Sequence, residues 1–377
     1  MKNCVFLVLD NLRVGGVQRL ALDEAYSLAK RGIQVRIYFL ENAIDEDDIR
    51  KIDSKYLTQY RATIEFISIK SGTFKQIARI RVEIARFRPF LIVSHSAKGI
   101  LLCRIAEEFS LVKEKSKIVG FIHQLITLSD SLQKFKRLLF FRFADELRAS
   151  SKQFVLEIEK VRRRNPLWRV INNSRIEFDR MGIDLDRIKF DQGNVTYSGI
   201  SELPTLIFLS RVVGWKGFQR FLDISNMWGN KARKFLLTTP LYRNTEEVKK
   251  LTESKNSYVA INKGIAQFSF GPKSVHIYPV NYGDKIFHPQ NIGLNVLECL
   301  SLGIPSLISP EKFWSWPELE ESPLIRTTDW NQQSVHEEIR RLSLIPEDVR
   351  RSESKRLSKI ISIDKHIDRL LNGVEAM

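Results

Sequence analysis

The stretch His288–Ser309, HPQNIGLNVLECLSLGIPSLIS, reads as a loop, a short helix and a covered strand in immediate succession. Leu294, Leu297, Leu300 and Leu302 recur at helical spacing, Gly293 stands just ahead of them, Gly303 closes the run, and Ile304 to Ile308 is apolar enough for a buried strand. A helix that leaves a loop in this way offers unpaired backbone N–H groups and the positive end of its dipole, which attract phosphate or carboxylate. Glu298, one to two turns inside, is placed to accept hydrogen bonds from the hydroxyls of a ligand whose phosphates lie at the tip. An ordinary α/β crossover with an exposed glutamate gives the same pattern.

Working back to the start of the chain, Cys4 to Leu9 is a β-rich apolar run, followed by Gly15-Gly16 and a helical stripe of Leu20, Leu22, Ala25, Leu28 and Ala29 ending at Gly32, then a second strand at Val35 to Leu40. Strand, glycine loop, helix and strand open a doubly wound domain. The paired glycines let a ligand approach the backbone, although they lack the spacing of a dinucleotide fingerprint and a tight turn needs glycine too. Further strands are expected at Thr63 to Ile69, Pro89 to Val93 and Lys117 to Ile122, with helices at Phe74 to Phe87 and Ala97 to Phe109. The last two strands end at Ser94-His95-Ser96 and at His123. Open α/β sheets bind ligands at such ends, and histidines there also serve structure.

A second opening of the same kind follows. Leu206 to Leu209 is a buried strand, and Ser210 to Gly217 is a loop carrying Arg211 and Lys216, five apart, ahead of a helix at Phe218 to Met227. The fork of guanidinium donors and the compact ammonium charge can together neutralise a diphosphate. Lys234 to Thr238 and Val275 to Tyr278 are further strands, Asn244 to Lys255 a helix, Pro310 to Pro323 an irregular segment, and Leu342 to Met377 a charged helical tail. The linker between the two halves falls near 190 to 203.

With 377 residues, 43% of them hydrophobic, the chain can bury two cores of ordinary size. Cys4, Cys103 and Cys299 are far apart in apolar runs, which points to buried thiols rather than a disulfide framework or a zinc site. No stretch approaches the roughly 20 apolar residues of a membrane span, and Cys4 to Leu9 is short for a secretory core, so a cytoplasmic or peripheral protein is expected. The net charge of +16 calls for an anionic partner. Between Gln133 and Arg169 there are eleven Lys and Arg against four acids. Within this region Ser131 to Phe143, SLQKFKRLLFFRF, has one apolar and one basic face, which suits docking on an anionic membrane or a core helix with a solvated side. Aromatics do not alternate with basic residues as on single-strand platforms and no nucleic-acid motif is present, so nucleic acid is not the expected partner.

These segments resemble the family-4 retaining glycosyltransferases of the GT-B fold (glycosyl transferases group 1), whose C-terminal motif runs Pro-Ser, two residues, Glu-Gly-Phe-Gly-Leu, three residues, Glu-Ala. Gly293, Leu294, Glu298 and Leu302 to Pro305 match it, while Gln290 stands where the family has its first Glu and Asn291 replaces the following Gly. Gln keeps an acceptor oxygen and loses the charge. The early GGVQRLALDEAYSLAKRGIQV and the Arg211 to Gly217 turn, in order and at the family's distance from the later motif, are similar as well. Val170 to Ser174 looks like the family's "vipNG" segment, with Asn173 on the motif's Asn, and the family pattern raises His123 as a contact to donor or acceptor.

The resemblance implies a GT-B architecture of two Rossmann-like α/β domains facing across a cleft, residues 1–195 on the acceptor side and 196–359 binding the nucleotide sugar, with the tail 360–377 packing back on the first. It implies retaining, metal-independent transfer of a hexose or N-acetylhexosamine from a nucleotide-diphosphate sugar, UDP rather than GDP, to a glycan or glycolipid such as lipopolysaccharide or a lipid-linked or capsular oligosaccharide, at the inner face of the cytoplasmic membrane. No cofactor beyond the nucleotide-sugar co-substrate is implied. Arg211, Lys216, Gln290 and His123 take the catalytic roles; Gly15, Gly16, Asn173, Arg211, Lys216, Asn291, Ile292, Gly293, Leu294 and Glu298 contact the nucleotide sugar. Two other readings stay open: a non-catalytic nucleotide-sugar-binding protein, which Gln290 in place of the first Glu makes plausible, and an epimerase or phosphorylase-like enzyme of the same fold, which would share the nucleotide or phosphate cradle.

Overall fold

The computed structural model describes residues 3–11, 16–41, 59–60, 62–123, 139–164, 175–192, 197–199, 203–210, 212, 216–238, 245–253, 256–261, 265–279, 292–309 and 316–375. The chain divides into two compact units, Met1–Asp184 with Ile363–Met377, and Leu185–Ser362.

In the first unit β1 (Cys4–Leu9) is buried at every position, as a strand covered on both faces must be. It is followed by α1 (Gly16–Lys30), β2 (Gln34–Phe39), β3 (Ile64–Ser68), α2 (Thr73–Phe87), β4 (Leu91–Ser94), α3 (Ala97–Glu108), β5 (Lys117–Ile122), β6 (Glu146–Ala149), α4 (Lys152–Arg164) and β7 (Arg175–Phe178). The seven strands are all parallel, in the order β3-β2-β1-β4-β5-β6-β7. Chain direction along the sheet reverses between β1 and β4, which opens a crevice beyond their C-terminal ends. There Ser96 caps α3 by accepting from Gly99 N at 3.1 Å and donates to Asp10 at the end of β1. A Cβ on Gly99 would stand 2.5 Å from Ser94 Oγ and 2.8 Å from Val8, so only glycine lets α3 start this close to the sheet.

The last helix, Ile363–Glu375, belongs to this unit and lies on α1. Ser27 donates to Asp364 Oδ1 at 2.5 Å, and Arg31 pairs with Asp368 at 2.7 Å. At its C-terminal end the carbonyls of Arg369 and Gly373 accept from Arg148 and Lys117, cations placed at the negative end of the helix dipole.

The second unit repeats the plan. Its elements are α5 (Leu185–Gln192), β8 (Tyr197–Gly199), β9 (Thr205–Leu209), α6 (Phe218–Trp228), β10 (Arg233–Thr238), α7 (Glu246–Glu253), β11 (Ser257–Ile261), β12 (Phe268–Phe270), β13 (Ser274–Ile277), α8 (Leu294–Ser301), β14 (Ser306–Ile308), β15 (Ile325–Thr327), α9 (Gln332–Ser343) and α10 (Glu347–Ile361). The main sheet runs β11-β10-β9-β13-β14-β15, again parallel, and reverses between β9 and β13; β8 and β12 pair separately. Phe208, Phe218, Phe221 and Leu236 fill one side of the sheet, and Ile207, Phe235, Cys299 and Ile304 the other. Among the described residues no helix is long and apolar enough to cross a membrane.

Two parts of the sequence reading change. The linker expected near 190 to 203 overlaps α5 and β8, and β15 lies just beyond the irregular segment at Pro310 to Pro323, where no strand was expected. Arg148, counted with the basic excess, is 3% exposed and held between Glu146 and Asp179. All three cysteines are free and buried.

Candidate functional site

In the second unit four chain segments converge at the reversal between β9 and β13. Gly217, the cap of α6, has φ +74, and a Cβ there would lie 1.6 Å from the carbonyl oxygen of Pro279, two residues beyond β13. Only glycine permits that turn. Just before it Lys216 brings its ammonium 5.9 Å from the Tyr278 ring centroid. Gly293 caps α8 with extended backbone, and its added Cβ would meet the Tyr278 hydroxyl at 2.8 Å. The Asn295 side chain donates to the carbonyl of Leu209, tying the first turn of α8 to the end of β9. Burial pushes the Tyr278 phenol up, so it stays protonated.

The result is a cradle at the switch point of an open parallel sheet. It has an ammonium at the start of α6 and the N-terminus of α8, where the first N–H groups have no acceptor within the helix. Such a cradle suits a diphosphate. Deeper on α8, Glu298 shares one carboxylate oxygen with Arg187 of α5 at 2.8 Å, the arginine being buried. Arg187 was not among the expected site residues, and no helix was expected where it stands. Lys216, Ile292, Gly293, Leu294 and Glu298 thus meet in one region. Arg211, Gln290 and Asn291 lie outside the described residues.

In the first unit, His95 and His123 stand side by side beyond β4 and β5, adjacent parallel strands. His95 Nδ1 and His123 Nε2 are 2.9 Å apart, and both rings stack with Phe121, centroids at 5.1 and 5.9 Å. Behind them runs a buried polar chain absent from any sequence motif. His95 Nε2 is 2.8 Å from Glu24 Oε2, and Glu24 Oε1 is 2.9 Å from His366 Nε2 of the last helix. His366 Nδ1 forms an ion pair with Asp179 at 2.9 Å, and Arg148 and Arg369 donate to the same carboxylate at 2.6 and 2.8 Å. Arg148 continues to Glu146, which pairs with Lys117 at 2.7 Å.

Burial opposes ionisation of Glu24, but His95 and His366 hold its carboxyl down at about 2. Burial likewise opposes a charged His366, yet Asp179 and Glu24 lift it to about 9. Asp179 stays well below the usual carboxylate range for the reciprocal reason. Burial, with the neighbouring imidazoles His95 and His366, pushes His123 down to about 3. Gly16 begins α1, while Gly15, Asn173 and 131–138 lie outside the described residues. Among the described residues no cluster of three His, Cys, Asp or Glu is arranged to hold a metal ion.

The architecture is the GT-B fold: two parallel-sheet α/β units of seven and six strands, matched by solved GT-B structures over the whole chain. Alr3699/HepE of Anabaena, solved with UDP and glucose, is 13% identical with a TM-score of 0.67 over 99% of this chain and 100% of its own. A glycosyltransferase of Rickettsia africae ESF-5 is 13% identical with a TM-score of 0.69 over 100% and 98%. The lipopolysaccharide outer core galactosyltransferase WaaB is 12% identical with a TM-score of 0.58 over 98% and 99%. No family model matches the sequence, and no curated protein matches it.

Proposed function

We propose that the chain is a glycosyltransferase that uses a nucleotide-diphosphate sugar. The observation that carries this reading is the cradle at the switch point of the second unit, where Lys216, Gly217, Tyr278 and Gly293 converge. The solved relatives with this fold that hold UDP or UDP-glucose support it. As the bond from the anomeric carbon to the diphosphate breaks, negative charge grows on the leaving group, and Lys216 with the N-termini of α6 and α8 is placed to stabilise it. The acceptor hydroxyl forms the new bond and gives up its proton, and the nucleoside diphosphate departs.

In its finer form the reading is a retaining, metal-independent transferase of the family-4 type, moving a hexose or N-acetylhexosamine from a UDP-sugar to a lipopolysaccharide or other lipid-linked or capsular glycan. The sequence motifs at 211–217 and 290–305 support the family, and the relative named for lipopolysaccharide outer core synthesis supports the acceptor.

The exposed side of α2 supports work at an anionic membrane surface on the cytoplasmic side. Phe74 (88% exposed), Ala78, Val82 (57%) and Ala85 form a solvent-facing apolar stripe at helical spacing. Lys75, Arg79 and Arg86 flank it on one side, and Arg81 and Arg88 on the other. Glu83 faces away, paired with Arg36 at 2.7 Å. An apolar centre between two cationic edges is the pattern of a helix lying in a lipid interface.

Calorimetry with UDP, GDP, ADP and CMP in EDTA, repeated with Arg211→Ala, tests the core of the reading. Micromolar binding of UDP, lost in the variant, is expected; binding of no nucleotide would refute it. Sedimentation with vesicles that ignores their anionic lipid content, or that is unchanged by Phe74→Ser with Val82→Ser, would refute the membrane part.

A further inference from the structure

The hydrogen-bond chain behind His123 fixes what that residue can do. We propose that Glu24, His95 and His366 lock His123 as a neutral imidazole protonated on Nε2, so that Nδ1 serves only as an acceptor for a sugar hydroxyl. The substrate half of this proposal rests on the transferase reading; the tautomer does not.

The argument starts at Glu24, whose side chain is 0% exposed. An ionised carboxylate can only accept, so both nitrogens it touches, His95 Nε2 and His366 Nε2, carry hydrogens. His366 also faces the Asp179 carboxylate through Nδ1, which makes it an imidazolium with a carboxylate on either side. The buried charges then balance. Glu24, Asp179 and Glu146 are three anions; His366, Arg148 and Lys117 are three cations, while Arg369, 43% exposed, has solvent to share its charge.

A second proton on His95 would add an unbalanced cation to a side chain that is itself 0% exposed. His95 is therefore neutral: its hydrogen is committed to Glu24, and Nδ1 keeps a lone pair. The contact of 2.9 Å to His123 then needs a donor on the other side, and that donor is His123 Nε2–H. A neutral imidazole has one N–H, so His123 Nδ1 bears the second lone pair.

The groups facing His123 from the elements packed around it are His95 after β4, Glu24 of α1 and His366 of the last helix, and Phe121 packs against all three imidazole rings. Burial, with the neighbouring His95 and His366, outweighs the pull of Glu24 and disfavours protonation of His123, in keeping with an imidazole that stays neutral at ordinary pH. A group so held does not act as a general acid. It selects a hydroxyl hydrogen. His95, Glu24 and His366 act through it and are positioning residues.

Histidine-labelled full-length protein tests the tautomer directly, by long-range proton–nitrogen correlation of the imidazole rings, with the His123 signals identified by their loss in His123→Gln. The Nε2–H form, unchanged from pH 5 to 8.5, is expected. A His123 protonated on Nδ1, or one that titrates near 6.5, would overturn the proposal. His95→Phe keeps the ring stack and removes the acceptor; His123 should then become a mixture of the two neutral tautomers. An unchanged tautomer in that variant would overturn the part of the proposal that gives His95 a role.

For the substrate half, monodeoxy analogues of the active donor or acceptor sugar are compared in parent and His123→Phe enzyme. One analogue should lose roughly tenfold or more in kcat/KM with the parent and much less with the variant. If every analogue loses equally in both, the hydroxyl assignment is wrong even with the tautomer established. A protein that shows the tautomer and transfers no sugar refutes the transferase reading and leaves the relay intact.

Discussion

Replacing Gly217 by alanine should damage both the second unit and its cradle, and the size of the effect can be set against a control in the same chain. Gly32 and Gly217 have nearly the same left-handed backbone, φ +73 and +74. At Gly32 a Cβ meets nothing within 4 Å; at Gly217 it would lie 1.6 Å from Pro279 O and 2.5 Å from the Pro279 carbonyl carbon. The left-handed conformation costs an alanine about 1–2 kcal/mol, and the stiffer unfolded chain offsets about half of that, so Gly32→Ala should cost about 1 kcal/mol. Gly217→Ala carries the same cost plus the overlap. Ordinary contact begins at 3.4 Å, so the turn and the Tyr278-Pro279 segment must separate by nearly 2 Å, with no flexible side chain to give way. Overpacking of that kind adds about 1–3 kcal/mol, for a total of about 3 kcal/mol.

The displaced turn carries Lys216, so UDP affinity should also fall by at least tenfold. Urea midpoints at constant slope, read beside calorimetric titration of UDP, measure both effects. A Gly217→Ala protein as stable as Gly32→Ala, with unaltered UDP binding, would show that this turn is not built as argued.

Stability should peak near pH 6.5. His366 is held at about 9 in the folded state against 6.5 unfolded, so its contribution of about 3 kcal/mol is complete below 6.5 and is lost as pH rises toward 9. On the acid side His276, fully buried in β13 and held at about 3, refuses a proton that the unfolded chain takes below 6.5; at pH 5 this costs about 2 kcal/mol, and His123 acts in the same direction. Urea midpoints equal at pH 5, 6.5 and 8.5 would contradict this. Arg148→Met should destabilise by about 3–5 kcal/mol in thermal or urea unfolding, because Glu146 and Asp179 are left buried with a cation removed. Lys216→Ala should weaken UDP binding about 10- to 100-fold in calorimetry while leaving the unfolding free energy from urea titration within about 0.5 kcal/mol of the parent.

What could be read from the chain alone were features written in local pattern. The continuous apolar runs of β1, β5 and β9 and the leucine spacing of α8 announce buried strands and a short helix, because burial on one or both faces imposes that spacing. Gly217 and Gly293 were visible as loop residues, but what forbids a Cβ there is tertiary, the Pro279 carbonyl oxygen at 1.6 Å and the Tyr278 hydroxyl at 2.8 Å. The short strands β7, β12 and β15, three or four residues each, carry no such signal; pairing with a neighbour makes them strands. Helix α5 escaped because its eight residues are mostly polar and its Arg187 finds Glu298 only 111 positions away. His123 stood out at a strand end, but its partners did not. Glu24 and His366 are 342 residues apart, on helices that carry several other charged residues, so nothing local singles them out. Only packing the last helix against α1 brings those charges together, and a buried charge takes its protonation state from such partners rather than from its neighbours in sequence.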